Sequence, residues 1–195
     1  MPVSGDETAI LLREARAGSA EAVERLYERC GPRLLAFIRL RLGRTLRARL
    51  ESRDILQATL LRSFERLGQL EADDPAALMA WLMRIAENEI RDRADYFQRQ
   101  RRDPAREVPL DEAHEAAAAA ARSVTSRLVL DEEAARLERA IDGLSEAHRE
   151  IILLRKFEEL SFRDIAARLG RSEDACRMLL ARAMAALTIT MTEAE

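Results

Sequence analysis

Leu144–Leu187 reads LSEAHREIILLRKFEELSFRDIAARLGRSEDACRMLLARAMAAL. Ser145 is placed to cap a helix that carries the apolar run from Arg149 to Phe157. Ser161 caps a short second helix, with Asp164 three positions on as a weak capping-box variant. Gly170 closes that helix, and Ser172 caps the last one. On the last helix Cys176, Leu180, Ala183 and Leu187 are spaced to share one core-facing side. Helix, short helix, tight turn and helix make the layout of a helix-turn-helix, a unit that sets one helix against the DNA major groove.

The rest of the chain is compatible with that unit. Aromatics are only 4% of 195 residues, and Gly and Pro are few, which favours helix over sheet. Net charge is −3, but its distribution matters more than its total. Residues 33–49 hold six arginines and no acid, residues 91–106 are also net basic, and the acids collect over 107–142. Cys30 and Cys176 are read as reduced, packed thiols, and neither they nor His114 and His148 sit at metal-ligand spacing. There is no Gly-rich phosphate loop and no G-x-S-x-G nucleophile motif. We therefore expect no enzyme, no catalytic residue, no cofactor and no metal. No apolar run approaches the roughly 20 residues of a membrane span, and the N-terminus lacks a secretory core. The expected location is cytoplasmic, with no membrane partner.

Upstream, turn signals divide a helical zone. Ser19 caps one helix, Gly31-Pro32 is expected to break it, and Gly43 stops the next. Ser52 is expected to cap a helix over 53–67, and Asp73-Asp74-Pro75 opens a long one from about Ala76 to Arg99. Leu78, Trp81, Leu82, Ile85, Ala86 and Ile90 form its buried stripe. The fold class expected is all-α: an N-terminal helical bundle of about four helices (1–102), a flexible linker (103–126) and a C-terminal helix-turn-helix domain (127–195). Within the linker, Ala116–Ala121 has helix propensity without an amphipathic pattern, so either a marginal, exposed helix or disorder until a partner binds is expected there. A single helix is expected from Leu128 to Ile141.

The outward side of the last helix holds Asp174, Ala175, Met178, Ala181 and Arg182, flanked by Arg177. Arg171, Ser172, Arg177 and Arg182 are its candidate DNA contacts, and the remainder is poor in side chains that read bases. With its LSEAHREIILLR opening and SFRDIAARLG turn, this half resembles the C-terminal domain of bacterial RNA polymerase sigma factors of the extracytoplasmic-function type. Arg53-Asp54-Ile55-Leu56-Gln57-Ala58-Thr59 resembles that family's clamp-docking signature. Trp81-Leu82-Met83-Arg84-Ile85-Ala86-Glu87-Asn88 resembles its promoter-melting helix.

The resemblance implies a sigma factor that binds core RNA polymerase and directs promoter recognition and transcription initiation. Asp54, Gln57 and Leu61 would dock on polymerase. Asn88 and Arg91 would lie near a strand, with Arg99, Arg101 and Arg102 attracting phosphate. The loop Gln69–Ala77 would hold an unstacked base, although Glu71, Asp73 and Asp74 repel phosphate there. An anti-sigma factor is a further candidate partner. Met178 and Leu179 depart from the family's reading helix, so promoter choice is expected to rest more on the N-terminal bundle. Two other readings stay open: a stand-alone dimeric helix-turn-helix regulator reading paired half-sites, and a helical adaptor that binds polymerase or an inhibitor without reading a promoter.

Overall fold

The computed structural model describes residues 5–47, 50–70, 74–100, 115–130 and 132–192. Among them every regular element is helical. The chain divides into two compact units, residues 1–38 with 49–130, and residues 39–48 with 131–195.

The first unit contains α1 (Gly5–Arg16), most of α2 (Ala20–Arg41), α4 (Ser52–Glu65), α5 (Pro75–Gln100) and α6 (Glu115–Leu130). The short α3 (Arg44–Arg47) falls in the second unit. Leu12, Leu26, Leu34, Ile38, Ile55, Leu56, Leu60, Leu78 and Leu82 are fully buried. Tyr27 is buried with them, and its hydroxyl donates to the Leu60 carbonyl at 2.8 Å and lies 2.9 Å from the Ser63 hydroxyl. That bond lets a polar tip enter an apolar core. Burial pushes the Cys30 thiol up to about 11, so it stays protonated and unreactive at neutral pH.

Ser19 caps where the sequence placed a cap, and Asp74 supplies the cap for the long helix expected after Asp73-Asp74-Pro75. The Ser19 hydroxyl accepts from the Ala22 amide at 3.2 Å. The Asp74 carboxylate accepts from the Ala76 and Ala77 amides at 3.1 and 3.3 Å, with Pro75 as the first helical residue.

Four expectations need correction. Gly31-Pro32 does not break a helix, because α2 runs through it. Pro disfavours a helical predecessor partly through clash with that residue's Cβ, which Gly31 lacks. Burial of Cys30, Leu34 and Leu35 around the missing hydrogen bond supports the rest. Ser52 is not a cap: Glu51 takes that position without a side-chain bond, and Ser52 is buried in the first turn. The helix that carries the alanine run is not an exposed one: Ala119 is exposed, but α6 packs from Ala121 onward. Val124 and Thr125 add a buried edge with Ala121, α6 lies against α4, and Arg127 pairs with Glu24 and Glu28 of α2. Finally, the single helix expected over 128–141 is two, with α6 ending at Leu130 and α7 spanning Glu132–Gly143.

The second unit packs α10 (Glu173–Thr192) on α7, α8 (Glu146–Ile152) and α9 (Phe162–Leu169). Ile141, Ile151, Ile152, Ile165, Cys176 and Ala183 form its core. Arg39 and Arg47 both pair with Asp142 at the end of α7. A π-helical turn, Leu153–Phe157, follows α8 and buries Leu153 and Leu154. By length and composition α10 is an exception to the expected lack of a span. It has 20 residues and a window of mean hydropathy 1.2, because alanine, methionine and leucine outweigh Arg177 and Arg182.

Candidate nucleic-acid and polymerase interfaces

The turn before α10 is built by three local devices. The Ser161 hydroxyl accepts from the Asp164 amide at 3.2 Å and lies 2.6 Å from the Asp164 carboxylate. Gly170 adopts φ 63°, ψ 36°, a left-handed conformation that costs a residue with a Cβ roughly 1–2 kcal/mol. The Ser172 hydroxyl then accepts from the Ala175 amide at 3.2 Å and starts α10. Each device satisfies helix-end amides or carbonyls that otherwise lack partners. Together they fix the direction in which α10 leaves α9.

On α10, Cys176 and Ala183 are fully buried and Leu187 nearly so, while Leu180 is half-buried. The outward side carries Asp174, Ala181, Arg182 and Met178, the last 55% exposed. Arg171 and Arg182 are exposed, and their guanidinium groups have no ion pair among the described residues. Arg177 differs. Its guanidinium reaches Glu173 and Asp174, each at 2.8 Å, and lies 5.1 Å from the centroid of the Phe162 ring. Phe162 meets Arg155 as well, at 5.3 Å, and Arg155 donates to the Leu160 carbonyl at 3.2 Å.

Sequence reasoning missed this arginine–phenylalanine–arginine stack. The three residues come from the π-turn, the start of α9 and α10, and no single-helix spacing relates them. The usable signal was an aromatic directly after a helix-capping serine, in a chain where aromatics are rare.

In the first unit, Asn88 and Arg91 share the outward side of α5 with Arg84 and Asp95. Arg91 donates to the Asn88 side-chain oxygen at 3.4 Å. Arg99 lies in the last turn of α5, whereas Arg101 and Arg102 lie outside the described residues, as do Glu71 and Asp73 of the preceding loop. Tyr96, 50% exposed, was also missed. An exposed aromatic among arginines offers a face on which a base can stack.

On α4 the buried side is Ser52, Ile55, Leu56, Thr59, Leu60 and Ser63. Asp54, Gln57 and Leu61 lie opposite, Asp54 exposed and the other two half-buried. The Asp54 carboxylate and Gln57 amide have no hydrogen bond among the described residues. Only the Asp54 carbonyl is used, accepting from Arg93 of α5 at 3.3 Å. Arg62 ties the same two helices, with its Nε 2.7 Å from Glu89 and its Nη1 3.3 Å from Asp92. Burial pushes the Glu89 carboxyl above its ordinary value, with Arg62 pulling the other way.

A helix-turn-helix and a separate helical bundle define a two-part protein of the DNA-binding class. Residues 26–103 match the family profile Sigma-70 region 2, and residues 134–187 match Sigma-70, region 4. The RNA polymerase sigma factor CarQ of Myxococcus xanthus is 34% identical over 165 residues, 84% of this chain and 85% of CarQ. The probable RNA polymerase sigma factor RfaY of Xanthomonas campestris is 34% identical over 175 residues, 89% of this chain, but the chain spans only 41% of RfaY. Among solved structures, CnrH in complex with the cytosolic domain of CnrY is 25% identical and covers 97% of this chain and 99% of that one, with a TM-score of 0.42. The chain belongs to the extracytoplasmic-function sigma factors, the RNA polymerase subunits that direct transcription initiation.

Proposed function

We propose that this chain docks on core RNA polymerase through Asp54, Gln57 and Leu61 of α4 and carries it to promoters. The observation behind this is the unpartnered carboxylate and amide opposite the buried side of α4. A basic partner surface would satisfy both. Asn88 and Arg91 of α5 engage the opened strand, while Arg99 and, in the sequence beyond the helix, Arg101 and Arg102 attract phosphate. On the second unit, Arg171, Ser172, Arg177 and Arg182 contact the upstream duplex, chiefly at phosphates. The protein works in the cytoplasm beside polymerase and contributes binding energy, not catalytic chemistry.

Run-off transcription on genomic fragments with core polymerase tests this reading. Discrete transcripts that appear only when the chain is added are the expected result. A tight complex with palindromic DNA formed by the chain alone, with no transcripts, refutes it in favour of a stand-alone regulator.

A further inference from the structure

Phe162 gathers two cations from different elements of the second unit. The guanidinium carbons of Arg155 and Arg177 lie over its ring, 5.3 and 5.1 Å from the centroid, so the two charges are no more than about 10 Å apart. Arg155 is half-buried and makes no ion pair among the described residues. Its guanidinium is steadied by the Leu160 carbonyl, 3.2 Å away. The chain reverses there through Glu159, at φ 54°, a left-handed conformation uncommon for a residue with a Cβ. The Leu160 amide donates back to the Leu154 carbonyl at 3.0 Å. Ser161 then caps α9, and Phe162 is its first residue. The turn places the ring, and the ring places the arginines. Strained backbone of this kind persists only where its surroundings hold it, and it clusters at functional sites.

Stability alone does not call for the arrangement. One guanidinium already gives the ring its cation–π contact. A second brings like charges together, and the acids beside Arg177 leave Arg155 without a counter-charge of its own. A polyanion removes that cost. Phosphates of one strand recur about every 3.4 Å along the duplex axis, so two cations this close can take phosphates within about three nucleotides of each other. We propose that Phe162 is a positioning residue that holds Arg155 and Arg177 as a pair, so that both meet phosphates of one strand when α10 enters the groove. Arg155 thereby joins the interface from outside the reading helix, and Phe162 acts through the two arginines. The inference rests on the reading that α10 meets the upstream duplex.

The test is the affinity of holoenzyme for a promoter recovered by run-off transcription, measured across a salt series. The slope of log affinity against log salt counts the phosphates neutralised, at about 0.9 per contact. Phe162→Leu keeps apolar bulk without a ring, and its slope should be shallower by between about one and two. Its deficit in affinity should therefore narrow as salt rises. Phe162→Tyr keeps the ring and should keep the slope. Arg155→Ala should lose about one from the slope of the unmodified chain and nothing further in the Phe162→Leu background. A merely structural role for Phe162 would lower the Tm and leave the slope alone. An unchanged slope in Phe162→Leu or in Arg155→Ala, or equal losses from Arg155→Ala in both backgrounds, overturns the proposal while transcription by the unmodified chain continues. Absence of any promoter complex with the unmodified holoenzyme overturns the functional reading itself, and this inference with it.

Discussion

Arg177 is held by its own helix, and releasing it should strengthen promoter binding. Glu173 and Asp174 each contact its guanidinium at 2.8 Å, at i,i+4 and i,i+3 spacing. Exposed pairs of this kind contribute about 0.3–0.5 kcal/mol each. A phosphate that recruits Arg177 must therefore displace about 0.6–1 kcal/mol of acid contacts. The Phe162 ring, 5.1 Å away, can keep its contact while the guanidinium turns. The Glu173→Gln, Asp174→Asn double variant removes that competition. Affinity of the holoenzyme for promoter DNA should rise about three- to fivefold at low salt, and the gain should shrink as salt rises. Both acids also favour the positive end of α10, so Tm should fall slightly even as affinity rises. Fluorescence anisotropy on a labelled promoter, repeated in an Arg177→Ala background, measures the coupling. An equal gain in that background would falsify the competition, leaving only a general reduction of negative charge near DNA.

Four further outcomes are expected. Asp54→Ala combined with Gln57→Ala should weaken the complex with core polymerase at least tenfold, roughly two lost interactions, with an unchanged circular dichroism melt; undiminished pull-down rejects the docking side. Gly170→Ala should cost about 1–2 kcal/mol through its left-handed backbone, seen as a lower Tm by calorimetry, and an unaltered Tm would mean the turn relaxes freely. Ser161→Ala should cost about 1 kcal/mol by uncapping α9, while Ser52→Ala should show no capping loss in the same assay. Glu89, whose folded-state pKa is raised above 4.5, binds its proton more tightly when folded than unfolded. Its contribution is therefore fully present below the unfolded pKa and is lost as pH rises through the folded value. Glu89→Gln should flatten that decline in a pH series of urea melts, and an unchanged slope would assign it to other groups.

Where the sequence was informative, the information was local. Ser161, Gly170 and Ser172 act within four residues of themselves, so their geometry is readable from neighbours alone. Ser19 and Asp74 are of the same kind. The buried stripe of α5 was readable because its period belongs to one helix, although Trp81 is only half-buried at its margin. The failures share the opposite property. Pro32 was judged by its own geometry, yet a buried stretch of α2 overrides a single missing hydrogen bond. The packing of α6 depends on α4 and on two α2 glutamates roughly a hundred positions away in sequence.

The same distinction bears on the reading helix. Sequence alone counts Arg177 as a free cation on an otherwise apolar side. In the folded unit it is committed to Glu173, Asp174 and Phe162, which leaves Arg171 and Arg182 as the unengaged cations beside Met178 and Ala181. Two cations on an apolar side supply attraction to phosphate but little discrimination among bases, since neither methionine nor alanine distinguishes base edges beyond a thymine methyl. On α5, by contrast, an amide and an arginine of the outward side are already in mutual contact, and an exposed aromatic, Tyr96, follows one to two turns on. That grouping can hydrogen-bond one unstacked base and stack on another. Discrimination among promoters should therefore follow substitutions on α5, and overall affinity and its salt dependence should follow substitutions on α10.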